Sequence, residues 1–177
     1  MKKRLITSDE PAKGVVLEVK EEPGLGTTID VIIYDGVLRK NDMFIVAGKN
    51  GPLITRVRSL LMPRPLQDMR MHEGRFIQVD FVAAATGVKI AAPGLEDALA
   101  GSSFYVVSSE EKIGEYIRMI QEEIAQIRFK AESDGVVLKA DTLGTLEALL
   151  EAMRRLNIPV KLADVGNVTR NDAIEAS

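Results

Sequence analysis

Cysteine is absent from the 177-residue sequence, and histidine occurs only once. Without cysteine the chain can form no disulfide, no zinc site built on thiolates and no catalytic thiol. The single histidine, His72, cannot build a histidine-rich metal site, and a lone histidine on a surface is the ordinary case. The sequence therefore excludes thiol chemistry and predicts no metal site.

Long apolar runs are also absent. A membrane-spanning helix needs about 18–20 consecutive apolar residues, and no stretch of the chain approaches that length. The basic start of the chain is typical of a signal peptide, but Ser8-Asp9-Glu10-Pro11 interrupts it before an apolar segment can form. With 46% hydrophobic and 28% charged residues, the composition is that of a soluble globular protein. We predict a cytoplasmic protein that does not contact a membrane.

Positive charge is unevenly distributed, although the net charge of the chain is only −3. Five arginines and two carboxylates lie between positions 56 and 75, a local net charge of +3. These candidate RNA-binding residues are Arg56, Arg58, Arg64, Arg70 and Arg75. A basic segment on an acidic chain indicates one localised anionic partner. The alternative is a solvated surface with internal ion pairs, for example between Arg70 and Glu73.

Within this segment, Arg56 and Arg58 are two residues apart, so on a strand they share a face, with about 7 Å between their Cα atoms. Arg64 stands between prolines, on a loop that we predict to be stiff. Aromatic residues make up only 5% of the chain and do not interleave with these arginines. We therefore expect contact with the backbone of folded RNA rather than stacking on bases.

Alternation of hydrophobic and polar residues dominates the chain from about Ala12 to Val107, and this period of two predicts half-buried strands. Turn-forming sequences separate the strands: Pro23-Gly24-Leu25-Gly26, Asp35-Gly36, Asn41-Asp42 and Asn50-Gly51. Many short strands predict a closed barrel, which leaves no exposed strand edge. Two stretches depart from the pattern: we predict a loop over 60–66, because of its prolines, and one helical turn over 92–101.

Helical periodicity follows, since isoleucines recur at spacings of four and three: Ile113, Ile117, Ile120, Ile124 and Ile127. This pattern predicts an amphipathic helix of about 20 residues, with a capping box at Ser108 and Glu111. We expect the isoleucine stripe to pack on a neighbouring domain. The alternative is that the stripe is a docking surface of a stand-alone scaffold or protein-interaction module.

The last part of the chain predicts a βαβ unit with a parallel strand pair, formed by 136–140, a helix and 160–165. The apolar face of that helix is predicted from Leu146, Leu149, Leu150, Met153 and Leu156. Thr169 and Asp172 predict the cap of a further helix. Such a unit leaves sheet edges open, so we expect it to belong to a larger sheet and the chain to be a fragment. The predicted domains are an N-terminal extension (1–11), a barrel (12–108), a linking helix (109–133) and a truncated α/β domain (134–177).

Four stretches carry a resemblance to a known family. Residues 23–42, from Pro-Gly-Leu-Gly to Arg-Lys-Asn-Asp, resemble the second-domain barrel of translational GTPases such as elongation factor Tu. Residues 58–70 and 92–101 resemble the archaeal and eukaryotic branch of the initiation factor two family, the subunit-joining factors. Residues 136–149 resemble the opening of the third domain of those factors. The resemblance implies a translation-factor barrel, a long helix and a partial α/β domain.

The resemblance also implies a role in protein biosynthesis: a ribosome-dependent GTPase that promotes subunit joining and places initiator tRNA. This part would contact small-subunit rRNA and couple the GTPase domain to the distal domains. The sequence contains no Gly-x-x-x-x-Gly-Lys-Ser/Thr loop, so we expect no enzyme activity and no cofactor here. GTP and magnesium would belong to the full-length protein, and initiator tRNA would be reached only through a domain not included in this sequence.

A third possibility, a small-molecule enzyme, depends on the turn Asp141-Thr142-Leu143-Gly144-Thr145. The turn follows a strand and opens a helix, which is where phosphate sites occur. It has one glycine, no lysine and an acidic residue that would repel phosphate. Ordinary N-capping by Asp141 or Thr142 is the expected alternative. The scattered carboxylates Asp30, Asp35 and Asp42 fall at or near turns and predict no acid–base pair.

Overall fold

The computed structural model describes residues 10–64, 76–127 and 134–176. The first part of the chain forms strands β1 (Lys13–Glu22), β2 (Gly26–Asp35), β3 (Val37–Arg39), β4 (Met43–Gly48), β5 (Gly51–Arg56), β6 (Ser59–Pro63), β7 (Phe76–Val79), β8 (Phe81–Ala83), β9 (Thr86–Ala91) and β10 (Ser103–Val107). The later elements are α1 (Glu110–Ile127), β11 (Val136–Ala140), α2 (Leu143–Arg155), β12 (Val160–Val165) and α3 (Arg170–Glu175).

The antiparallel strands form one curved sheet in the order β5-β4-β10-β1-β2-β9-β6-β7, and β3 pairs with β8 in a separate ribbon. Strands β5 and β6 are far apart in this order, yet only Val57 and Arg58 separate them in the chain. At this junction the backbone changes partners. Val57 N–H donates to the Asp42 carbonyl and Arg58 N–H to the Ala91 carbonyl, both at 2.9 Å. This bent segment therefore connects strands from opposite ends of the strand order, as the curvature of a barrel requires.

Inward-facing residues of these strands fill the barrel. Val16, Ile29 and Leu60 are fully buried, and the rings of Phe44 and Phe104 stack with centroids 4.9 Å apart. β-Branched and aromatic side chains suit a pleated surface with one buried face. The predicted fold class, an antiparallel barrel followed by a long helix and a βαβ unit, is confirmed.

The prediction of a loop over 60–66 is wrong for its first half, because β6 extends through Pro63. Proline removes one ladder donor, but Pro63 is the last residue of the strand and pairs only with β7. Residues 65 and 66 lie outside the described residues. The helical turn predicted over 92–101 is also absent: this segment forms separate turns, with Gly94 and Gly101 at φ +74° and +86°.

Helix α1 packs its isoleucine stripe against the outer wall of β4, β5 and β10. Ile120 and Ile124 are buried, and Ile113 and Ile117 pack partly buried beside them. We predicted packing on a neighbouring domain, and the stripe does pack on the strands that precede it; that those strands form a separate domain stays a prediction. The helix begins at Glu110, one residue later than a cap at Ser108 would give. Residues 128–133 of the predicted helix lie outside the described residues.

The βαβ unit has the predicted parallel pairing, with Leu138 opposite Ala163. Leu146 and Leu150 of α2 are buried, but Leu156, predicted on the same face, is 65% exposed because the helix ends at Arg155. Helix α3 begins with the predicted cap, in which the Thr169 and Asp172 side chains bond each other's backbone N–H. The division into domains stays a prediction.

Candidate nucleic-acid interface

Arg56 and Arg58 lie on the outer side of the barrel wall, on either side of the buried Val57. Alternation along the strand produces this arrangement, since the inward position takes the valine and the two neighbours point to solvent. The Arg56 guanidinium donates from Nη1 to the Asn41 carbonyl at 3.4 Å, a long and weak bond. Two exposed cations therefore flank Val57 at the junction of β5 and β6.

The guanidinium of Arg58 points to a different segment of the barrel from that of Arg56. Its Nη2 donates to the carbonyl oxygen of Leu25, at the tip of the β1–β2 hairpin. A guanidinium has five N–H donors in a planar fork, so one bond to a carbonyl fixes the side chain without consuming its charge. The Arg58 guanidinium is thus held in place at the β1–β2 hairpin, whereas the Arg56 guanidinium points toward the β3–β4 turn.

Arg64 does not join this pair. It follows the end of β6, six residues beyond Arg58, which corresponds to about 20 Å along an extended strand. Its side chain is only partly exposed. The predicted five-arginine patch is therefore not one compact cluster in its described part. Arg70 and Arg75, with His72 and Glu73, lie outside the described residues.

The structure adds two exposed cations that the sequence patterns did not single out, Arg39 and Lys40. Both lie at the β3–β4 turn, where Lys40 N–H donates to the Asp80 carbonyl and Asn41 N–H to the Val57 carbonyl. The Asp42 carboxylate accepts the Arg39 backbone N–H at 2.7 Å, which closes the turn. The sequence does show two adjacent basic residues at a turn. It does not show that the fold brings this turn next to Arg56.

Asp30, one of the scattered carboxylates, has a structural role. Asp30 pairs at 3.0 Å with Lys89, whose side chain is 5% exposed and also meets Glu22 at 3.2 Å. Burial alone would lower the pKa of Lys89. The hydrogen bonds that Lys89 donates to the carboxylates of Asp30 and Glu22, with their negative charges, outweigh that effect, and the pKa is raised. In the described part of the chain, no group of three or more metal-ligating side chains occurs.

The turn 141–145 is a helix cap. The Thr142 hydroxyl accepts the Thr145 N–H at 3.2 Å, and the Leu143 N–H donates at 3.0 Å to the carbonyl of Ala100 in the barrel. Both interactions satisfy donors that a bound phosphate would need. The capping interpretation of this turn is confirmed for Thr142.

No helix in the described ranges is both long and apolar enough to cross a lipid bilayer.

Comparisons with known proteins divide the chain in two. Residues 26–105 match the family described as elongation factor Tu domain 2, and residues 109–177 match the family described as translation-initiation factor 2. A probable translation initiation factor IF-2 from Staphylothermus marinus is 68% identical over 177 residues. A protein of the same description from Aeropyrum pernix is 58% identical, also over 177 residues.

A solved structure agrees with these sequence matches. The crystal structure of GDP-bound aIF5B from Aeropyrum pernix aligns with a TM-score of 0.79 at 58% identity. The alignment covers 99% of this chain and 29% of that one. In both sequence matches the chain is covered completely and spans 29% of the relative's length.

Proposed function

Because the chain belongs to the archaeal and eukaryotic branch of the translation initiation factor 2 family, we propose that its barrel contacts small-subunit rRNA during translation initiation. On this proposal the 177 residues work within a ribosome-dependent GTPase that promotes subunit joining and the placement of initiator tRNA. They also couple the GTPase domain to the distal domains.

The pair Arg56 and Arg58 carries the rRNA proposal. Both side chains are exposed at the junction of β5 and β6, and Arg58 is fixed by its bond to the Leu25 carbonyl. Arginine suits phosphate because its planar fork can donate two parallel hydrogen bonds. Arg39 and Lys40 extend the same surface. Backbone contacts of this kind position a protein on folded RNA without reading its sequence.

Coupling is supported by a second buried cluster, which the outer wall of the barrel shares with α1 and the α/β unit. Ile45 and Ala47 of the barrel, Ile120 of α1 and Leu146 of α2 belong to one buried cluster. The hydrogen bond from Leu143 N–H to the Ala100 carbonyl adds a direct backbone link. Close packing transmits displacement rather than absorbing it, so a movement of the barrel would carry the α/β unit with it.

In this proposal GTP, magnesium and initiator tRNA are bound by the GTPase and distal domains of the full-length protein, and these 177 residues carry no catalytic step. The place of action is the cytoplasm, where ribosomes are found. The arginine pair is suited to a binding role, since the bonds described for both guanidinium groups go to backbone carbonyls, which position a cation without activating it for catalysis.

The absence of cysteine from the sequence allows a direct test by tethered probing. A hydroxyl-radical source attached to Asn41→Cys should cleave the rRNA of bound small ribosomal subunits close to the basic surface. The same source on Arg155→Cys, on the exposed side of α2, is the control for non-specific cleavage. We expect strong, localised cleavage from position 41, abolished by the added pair R56E/R58E. No cleavage from position 41, or the same fragments from both positions, would contradict the proposal.

A further inference from the structure

Phe81 is an aromatic residue on the outside of the barrel. It begins β8, and its side chain is 63% exposed while the next residue, Val82, is buried. In the β3–β8 ribbon, Phe81 pairs with Arg39, and Leu38 pairs with Val82. Residues directly opposite in an antiparallel pair lie on the same face, with Cβ atoms about 5 Å apart. The ribbon therefore presents an aromatic ring and a guanidinium side by side to solvent.

Further cations surround this ring. Lys40 N–H donates to the carbonyl of Asp80, the residue before Phe81, at 2.9 Å. The Arg56 guanidinium reaches the carbonyl of Asn41 in the same turn. Three exposed cations, Arg39, Lys40 and Arg56, thus share one corner of the barrel with the ring. Sequence spacing does not reveal this group, because the pairing of β3 with β8 is a long-range contact. The sequence-based expectation of backbone contact without stacking rested on aromatics and arginines being apart in the chain, whereas strand pairing places Phe81 opposite Arg39.

Two carboxylates oppose these charges. Asp42 accepts the backbone N–H of Arg39, so its charge is directed into the turn. Asp80 is exposed beside Phe81, so its charge faces solvent. Among the described residues of this corner, three cations against two carboxylates leave a net positive charge of one.

We infer that Phe81 stacks on an unpaired base of the bound RNA while Arg39, Lys40 and Arg56 hold the adjoining phosphates. This inference rests on the proposed function and adds to it the kind of nucleotide that this surface takes. An aromatic ring flanked by cations is suited to a nucleotide, since the ring meets the base and the cations meet the phosphates. An apolar protein surface would cover the ring equally well but would make no use of the three cations beside it.

The test uses the full 177-residue chain and two RNA probes. One is an RNA hairpin with a single bulged 2-aminopurine, and the other is the same hairpin with that nucleotide paired. Stacking on Phe81 quenches the fluorescence of the bulged base, and titration gives the dissociation constant for each probe. We expect the wild-type chain to prefer the bulged hairpin and to quench it.

Three variants separate stacking from other effects. Phe81→Leu keeps an apolar side chain without a ring, and we expect it to bind the bulged hairpin about 5- to 100-fold more weakly, without quenching. Phe81→Trp keeps a ring and should bind at least as tightly as the wild type. Asp80→Asn removes the opposing charge and should bind both hairpins more tightly. Because Phe81 is exposed, none of the changes at this position disturbs the barrel core.

The salt dependence of binding distinguishes this inference from the proposed function. Phe81→Leu should leave the salt slope unchanged, because no phosphate contact is lost, whereas R56E should reduce it. If Phe81→Leu binds and quenches like the wild type while R56E weakens binding, the stacking inference is wrong and the RNA contact stands. If R56E also binds like the wild type, both are wrong.

Discussion

Leu143 donates its backbone N–H to the carbonyl oxygen of Ala100 at 3.0 Å, so the first turn of α2 is fixed to a loop of the barrel. Gly101, the next residue of that loop, allows the approach. It has a φ of +86°, and a Cβ there would stand 3.0 Å from the Leu143 nitrogen. The contact between barrel and α/β unit thus depends on a missing side chain.

Replacing Gly101 by alanine should therefore destabilise the chain by about 2–3 kcal/mol, from the left-handed backbone and the crowding of α2 together. Gly94→Ala is the matched control. Gly94 has a similar φ of +74°, but a Cβ at this position would have no other atom within 4 Å, so we expect a loss of about 1 kcal/mol. Urea unfolding measures both. Equal losses would show that the approach of α2 to the loop contributes nothing.

Helix α1 provides a second test of the shared core. Ile120 is fully buried between the barrel wall and α2, and Ile120→Ala should cost about 2–5 kcal/mol. The neighbouring Met119 is 41% exposed, and Met119→Ala should cost well under half as much. Hydrogen exchange shows where stability is lost. We expect faster exchange in both β4 and α2 for Ile120→Ala, and a loss confined to α1 would contradict a shared core.

The ion cluster around Lys89 gives a third prediction. Lys89→Met leaves Glu22 and Asp30 facing each other without a cation, which should destabilise the barrel by about 1–3 kcal/mol, since both carboxylates are partly exposed. The exposed pair of Lys13 with Asp35 at 3.5 Å is the control, and Lys13→Met should cost less than about 1 kcal/mol. Thermal unfolding compares them, and similar midpoints for both variants would refute the argument.

The pH dependence of the Lys89 contribution follows from its pKa, which is raised in the folded state. A raised pKa means that the stabilisation is fully present below the ordinary value of about 10.5 and is lost as the pH rises through the folded value. The difference in unfolding free energy between wild type and Lys89→Met should accordingly shrink only in strong alkali. A difference that already disappears near neutral pH would contradict this assignment.

The stabilisation by Asp172 should depend on pH in the opposite direction, being lost in acid rather than in alkali. Hydrogen bonds from the Thr169 backbone and hydroxyl, followed by the interaction with Lys139, lower its pKa. The stabilisation is therefore present above the ordinary aspartate value of about 4 and is lost as the pH falls through the folded value. The difference in stability of α3 between the wild type and Asp172→Asn should therefore shrink in acid. Hydrogen exchange of α3 gives the measurement, and parallel pH curves would exclude the effect.

Much of the fold was predictable from local patterns. The period of two in the first part, the isoleucine spacing of α1 and the cap at Thr169 each reflect contacts between residues close in the chain. The loop predicted over 60–66 shows where a local rule fails. Pro63 suggested a loop, but a proline is tolerated as the last residue of a strand, and its place in β6 depends on pairing with β7.

The candidate site was less predictable, because it depends on contacts between distant segments. Alternation along the chain was enough to predict that Arg56 and Arg58 point away from the residue between them. It could not show that Arg58 bonds the Leu25 carbonyl, that Arg64 stands apart from the pair, or that Phe81 faces Arg39 across the ribbon. Those relationships follow from barrel closure and strand register, which no local pattern encodes.

The most direct test of the rRNA contact is the salt dependence of binding to small ribosomal subunits, measured for wild type, R56E/R58E and the control R155E. A protein that neutralises phosphates loses affinity linearly with the logarithm of salt concentration, and each lost contact lowers the slope by about 0.7–0.9. We predict weaker binding and a slope reduced by roughly two contacts for R56E/R58E, with R155E close to the wild type. Unchanged affinity and an unchanged slope for R56E/R58E would contradict the proposed contact.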